Sequence, residues 1–238
     1  MTRIYAVASY LAFLATLIYF VGWLADIGVP KGINDGRAGT TWDAVVIDVA
    51  LLSIFALQHS AMARPWFKRA TRSVIPQAGE RATYVLLSSA VVAAIATWWR
   101  PLDHELWNVG STPWRSLLWV GYATGWVIVV SSTVMIGHFD LFGLAQAVRG
   151  DRYQEPRFAT PGLYAIVRHP IMSGFIVAFW VTPRMTDGHL VFAAVSTAYI
   201  VIAVRLEERD LRAQLGRDYE RYAQEVPRFV PVPMHRRP

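Results

Sequence analysis

The sequence predicts an all-α, polytopic transmembrane helix bundle of four long spans followed by a C-terminal helical pair. Three observations carry that expectation. Apolar runs of about 18 to 22 residues recur four times, each long enough to cross a hydrocarbon layer of roughly 30 Å as a helix. Hydrophobic residues make up 54% of the 238 positions and charged residues only 17%, with a mean hydropathy of +0.32. A soluble domain is closer to about a quarter charged. The net charge of +6 comes from basic residues gathered in the loops between the apolar runs. That is a topology signal, so membrane lipid and not nucleic acid is the expected surrounding.

The first run, 4–25, contains no charge. Its apolar stretch is too long for a signal peptide and no small-residue cleavage site follows, so it reads as a retained span. The second run, 44–63, contains Asp48 and His59, and the third and fourth are 82–99 and 116–137. The fifth apolar region differs. Run 171–182 is about 18 Å of helix, too short to cross alone. Pro183, Arg184, Asp187 and Gly188 interrupt it, and 190–204 then continues through Glu207, Glu208 and Leu211. A tilted helical hairpin and two short spans both satisfy this pattern. The chain reads as a single domain, 1–238, in which 1–137 forms the four-span part and 138–238 carries the chemistry.

Basic residues orient the bundle. The loop 64–81 holds Arg64, Lys68, Arg69, Arg72 and Arg81, whereas 26–43 holds only Lys31 and Arg37, and 100–115 only its two terminal arginines. The segment 138–168 holds Arg149, Arg152, Arg157 and Arg168, and eight arginines follow Val204. The positive-inside rule then places both termini, the 64–81 loop and the 138–168 segment in the cytosol, as expected for a plasma (inner) membrane protein. Ten Trp and ten Tyr suit the interfacial belts. The absence of cysteine excludes disulfides, thiolate metal sites and cysteine nucleophiles.

Under this topology His59, His138 and His169 share one depth on the cytosolic side. Each is open to a plain reading as a polar tip at an interface. The cluster Gly137-His138-Phe139-Asp140 favours a functional reading of His138. Asp48 lies about 16 Å along its helix from His59 and reads as a structural contact. In 157–170, Thr160 is a suitable N-cap and Pro161 a suitable first helical residue. A short helix would then carry Tyr164 and Arg168 on one face. Pro170 disfavours helix at His169 and can open the next one. A helix start at that break offers free N–H groups to an anion, and Arg168 could grip a carboxylate beside it. An ordinary loop arginine fits as well. Glu207 and Glu208, adjacent at a span end, are costly unless paired, and Arg212 stands four residues beyond Glu208. The chain has no Gly-rich dinucleotide fingerprint, no P-loop, no firm metal-ligand spacing and no nucleophile elbow.

One ordered set of residues resembles a known family. Tyr164-x-x-x-Arg168-His169-Pro170-x-x-x-Gly174, then Tyr199, Glu207-Glu208-x-x-Leu211, Gly216-x-x-Tyr219-x-x-Tyr222 and Val226-Pro227 together resemble the isoprenylcysteine carboxyl methyltransferase superfamily. The resemblance implies a membrane methyltransferase that binds S-adenosyl-L-methionine at its cytosolic face without a Rossmann domain. It implies a cofactor site formed by Tyr164, Arg168, His169, Pro170, Tyr199, Glu207 and Glu208, with no metal. Arg168 would bind the methionyl carboxylate. Glu208, or alternatively Glu207, would accept from ribose hydroxyls or the amino group, and the tyrosines would pack on adenine or sulfonium.

The stretches 137–146 and 178–190 resemble, within that superfamily, enzymes that methylate a small volatile thiol, methanethiol, to dimethyl sulfide. Many carboxyl methyltransferases of the superfamily carry His-x-Leu-Val where this chain reads Pro156-Arg157-Phe158-Ala159, which argues against a prenylated substrate. For a thiol substrate His138 is the first choice of base and His59 the second. Asp140 would orient the histidine or bind the cofactor amine. Rival expectations are another thiol, a protein carboxyl group or a phospholipid amine as acceptor, a nicotinamide-dependent membrane reductase, and a non-enzymatic membrane accessory protein.

Overall fold

The computed structural model describes residues 1–37, 39–154 and 156–232. Pro238, expected on the cytosolic side, lies outside the described residues. In order, the elements are α1 (Thr2–Ala25), α2 (Thr41–Met62), α3 (Pro65–Thr71), α4 (Glu80–Trp98), β1 (Glu105–Asn108), α5 (Trp114–Met135), α6 (His138–Leu141), α7 (Leu144–Arg149), α8 (Pro170–Trp180), β2 (Arg184–Thr186), α9 (Asp187–Leu215) and α10 (Arg217–Glu225). Five helical segments among the described residues are long and apolar enough to span a bilayer: Thr2–Ala25, Thr41–Met62, Gln77–Trp98, Trp114–Met135 and Asp187–Leu215. The protein is an all-α integral membrane helix bundle. Helices satisfy their own backbone groups, which hydrocarbon cannot do for them.

The C-terminal pair is asymmetric. α8 has only 11 residues, whereas α9 has 29 and is a full-length span. Asp187 and Gly188, expected to interrupt helix, form its first turn. Thr186 accepts the His189 N–H through its hydroxyl at 3.2 Å, capping that turn. The break is confined to 181–186, where β2 pairs antiparallel with β1. That pairing joins segments almost eighty residues apart and has no local sequence signal.

Contacts divide the chain into two compact units interleaved along the sequence. The first comprises Met1–Asn108, His138–Arg157 and Arg184–Val195, and the second Val109–Gly137, Phe158–Pro183 and Ser196–Pro238. In the first, α1 packs on α4 and α7, and α2 on α4. Trp23, Trp99 and Phe192 form a buried aromatic cluster. Lys31 donates to the carbonyls of Thr97 and Trp99, and Asp48 accepts the Arg100 N–H at 2.9 Å. Both contacts satisfy backbone groups that the end of α4 leaves open. Asp48 is thus a structural contact.

Gly143 stands at φ 83, where a Cβ would come within 2.8 Å of the Ala82 nitrogen, so the 137–146 stretch needs glycine at that turn. In the second unit α5 and α8 touch backbone to backbone. A Cβ on Gly125 would meet Ala178 N at 2.7 Å, and one on Gly174 would meet Gly125 O at 2.7 Å.

Candidate active site

Two groups of the sequence's candidate residues are built very differently. The second unit holds the cluster around Glu208. Pro170 is the first residue of α8, and His169 before it is non-helical at φ −127 and ψ 62. The helix expected from Thr160 and Pro161 does not form. Gly162 adopts φ 56, and only a 3₁₀ turn, Gly162–Ala165, follows. The N–H groups of Arg168 and His169 instead donate to the carbonyls of Pro227 (2.8 Å) and Arg228 (3.2 Å). Ser173 donates its hydroxyl to Phe229 O at 2.7 Å. The segment 226–229 is therefore strapped across the Arg-His-Pro break, and it takes up the N–H groups of the two residues that precede Pro170.

Arg168 fastens the same strap. Its Nε donates to Glu208 Oε1 at 2.9 Å, and its Nη1 to the carbonyls of Ala223 (2.7 Å) and Val226 (2.5 Å). Nη2 is the nitrogen outside these contacts. Arg228 reaches Glu208 as a fork, Nη2 to Oε2 at 2.6 Å and Nε to Oε1 at 3.1 Å. His169 Nε2 lies 3.1 Å from Glu208 Oε1 and, facing a carboxylate, donates. Arg212 Nη2 stands 3.6 Å from Oε2. Glu208 has no solvent exposure, and one buried carboxylate thus meets three arginines and a histidine. Glu208 acts on Arg228 in turn, holding its pKa above the ordinary arginine value. Burial lowers the His169 pKa, with Glu208 opposing.

Glu207, by contrast, is 54% exposed, with its carboxylate 3.8 Å from His169 Nδ1. It is the accessible acid of the pair. Tyr164 contributes its carbonyl to the Tyr222 hydroxyl at 2.6 Å, and burial raises its phenol pKa. Tyr222 and Tyr219 lie edge-on to Phe158, and burial pushes both phenols up to about 12. The Tyr219 hydroxyl is buried with no hydrogen-bond partner. Tyr199 is half-buried on α9. Sequence spacing missed Arg228 and the strap carbonyls, because partners 20 to 58 positions apart leave no periodic trace.

The first unit holds the other histidines. His59 is committed on both ring nitrogens. The Tyr84 hydroxyl lies 2.6 Å from Nε2, Ser88 Oγ lies 3.2 Å from Nδ1, and Phe55 stacks on the ring. His59 therefore ties α2 to α4. His138 opens α6 and meets the Tyr10 hydroxyl at 2.7 Å through Nε2. Tyr10, Phe139 and Phe142 surround it with aromatic faces, and Phe13 stacks on Phe142 at 4.2 Å. Burial lowers the His138 pKa, so the ring is neutral near pH 7. Asp140 lies two residues beyond His138 on α6. Its Oδ1 lies 3.6 Å from Arg149, while its carbonyl accepts from Arg81. No group of His, Asp and Glu among the described residues could hold a metal.

Comparison with known proteins gives the family. A methanethiol S-methyltransferase of a Pseudomonas species is 48% identical over 233 residues, covering 96% of this chain and 89% of its own length. That of Mycobacterium tuberculosis is 46% identical over 236 residues, covering 98% and 97%. Nurim of Xenopus laevis is 28% identical over 237 residues, covering 89% and 82%. No family model matches the chain. No solved structure matches it. Identity at this level over almost the whole of both sequences means that the chain belongs to the methanethiol S-methyltransferase family of membrane proteins.

Proposed function

We propose that the protein transfers a methyl group from S-adenosyl-L-methionine to the sulfur of methanethiol, giving dimethyl sulfide. The observation that carries this reading is the near-full-length identity to relatives named for that substrate. The residues of the second unit fit the cofactor. The unpartnered, buried Tyr219 hydroxyl lies in an aromatic wall beside an excess of guanidinium groups, and Glu207 is an exposed acceptor. Arg168, through Nη2, is suited to a carboxylate, and Glu207 to ribose hydroxyls or an amine. Tyr164 and Tyr199 suit a cation or adenine face. Glu208, enclosed by its own basic neighbours, holds those groups in place. When bound, the cofactor supplies a methyl group made electrophilic by a positively charged sulfur.

The chain's own part in the chemistry is to make the acceptor a thiolate. An alkyl thiol is largely protonated at pH 7, and the thiolate is the better nucleophile. His138, neutral and half-buried beside aromatic rings, takes the thiol proton. The apolar surroundings suit a small acceptor that partitions into lipid. We place the protein in the inner membrane with both termini and the cofactor residues on the cytosolic side, on the distribution of arginines. A reporter fused at the C-terminus is expected to be active only as a cytosolic reporter, and periplasmic activity would overturn this orientation.

The decisive experiment is ligand-induced thermal stabilisation with S-adenosylhomocysteine beside NADPH. Stabilisation by the first alone is expected, and stabilisation by NADPH alone would place the chain among reductases. Arg168→Ala should weaken S-adenosylhomocysteine binding by about 1.5 to 3 kcal/mol in calorimetry, the scale of a charged hydrogen bond. Wild-type affinity in that variant would remove Arg168 from the cofactor site.

A further inference from the structure

The mechanism leaves one strongly basic part of the first unit unused. Residues 64–81 carry five basic side chains and a single acid, Glu80, and they begin where a membrane span ends. α2 stops at Met62, and Arg64 is extended at φ −81 and ψ 143, so α3 does not prolong the span but sets off on a new axis. We propose that α3 and the turn after it lie in the bilayer interface and bind the anionic phosphate headgroups of phospholipids through Arg69 and Arg72, with Trp66 and Val74 seated at the edge of the acyl chains. This does not depend on the reading of the chemistry.

The apolar side chains point to lipid. Trp66 is 57% exposed and Val74 82%, although both stand in a charged segment. Tryptophan is favoured at headgroup level, where its ring meets the acyl boundary. Trp66 and Arg69, three positions apart on α3, share a face, and both are exposed. At an interface that face offers a guanidinium to a phosphate and a ring to the layer beneath it. A polyanion in solution would answer the arginines but give Val74 no apolar contact.

The charge is in excess and held in place. Glu80 meets Lys68 at 2.9 Å, which fastens α3 to the start of α4 and uses the segment's acid. Arg72 donates to the neutral Gln77 oxygen at 3.4 Å. A second segment extends the basic face. Gln146 Oε1 accepts the Arg81 N–H at 3.2 Å, and the 3₁₀ turn Gln77–Gly79 packs on α7 and on the turn Gly150–Arg152. Arg149 and Arg152 thus stand at the same end of the unit, beside the exposed Val148. Basic residues next to a span each gain roughly fivefold in affinity for an anionic lipid surface.

The test uses the full-length protein. In detergent micelles, phosphatidylglycerol should raise the unfolding midpoint at lower concentration than phosphatidylcholine does. Arg69→Gln combined with Arg72→Gln should need about tenfold or more phosphatidylglycerol for the same rise, with the lipid-free midpoint unchanged. Arg217→Gln combined with Arg221→Gln removes the same charge from α10 and should leave the titration as in wild type. The chain has no cysteine, so a spin label on Val74→Cys reports that position alone. In vesicles containing phosphatidylglycerol it should be relaxed more by oxygen than by a water-soluble nickel complex, and a label on Gln224→Cys of α10 should show the reverse. Equal titrations with the two lipids overturn the headgroup site. So does an Arg69/Arg72 double variant that titrates like wild type, or an α10 double variant that shifts as far. A Val74 label as open to the nickel complex as the α10 label overturns the interfacial seat, and the basic face then fits an acidic protein in solution.

Discussion

The Glu208 cluster of the second unit and the His138 corner of the first are opposite ways of using polar groups in an apolar protein. Around Glu208 charge is dense and mutually satisfied, with one unexposed carboxylate, three arginines and a histidine closed by a backbone strap. Around His138 the ring meets a phenol hydroxyl and neighbouring aromatic rings. A buried ion cluster is rigid because breaking it exposes uncompensated charge. A neutral histidine in weakly polar surroundings can change its protonation state at modest cost. The first arrangement suits holding a charged ligand's partners in place, and the second suits moving a proton.

The sharpest way to break this contrast is at Glu208. Glu208→Ala leaves Arg168, His169 and Arg228 without their shared acceptor and should destabilise the protein by roughly 3 to 5 kcal/mol, read as a lowered unfolding midpoint. An unchanged midpoint would mean that the strap is held by its backbone bonds alone. The next effect is on pH dependence. Because burial lowers the His138 pKa below the ordinary histidine value, the ring stays neutral down through that value. Activity should therefore hold as pH falls to about 6.5 and then decline about tenfold per unit below the depressed value. The stability linkage has the same sign. The unfolded chain binds the proton more readily, so the contribution of His138 is complete above about 6.5 and is lost as pH falls from there. An activity limb that begins above pH 7 would contradict a neutral, half-buried His138. The smallest effect belongs to Arg212, half-exposed and 3.6 Å from Glu208. Arg212→Ala should cost only about 0.3 to 0.5 kcal/mol. A loss comparable to that of Glu208 would show that the cluster extends further toward solvent.

The spans were legible because hydrocarbon imposes length and composition, and runs such as 4–25 and 116–137 correspond closely to α1 and α5. The start of α8 at Pro170 was legible for a local reason, proline's fitness for a first helical position. The failures were local as well as distant. Thr160 and Pro161 look like a helix start, yet Gly162 turns the chain out of helix with a positive φ. Asp187 and Gly188 look like breakers, yet Thr186 caps them into α9. At the site, Arg168, His169 and Glu208 meet one another although about forty positions separate the first two from the third. Arg228 and Tyr10 were invisible because each reaches its partner through folding rather than spacing.

The glycine seam between α5 and α8 bears on how finely the break at 168–170 is set. With Gly125 and Gly174 meeting backbone to backbone, the contact is mainly between main chains, with the stiff, β-branched Val129 side chain beside it. The 11-residue α8 is therefore registered against a full-length span by main-chain atoms, which move as rigid peptide planes. The seam lies little more than one helical turn from Pro170, so the tolerance of the break is the tolerance of that seam, on the order of tenths of an ångström. A short helix that bilayer thickness cannot register on its own thereby takes its depth from its neighbour, and the residues at its start inherit that registration.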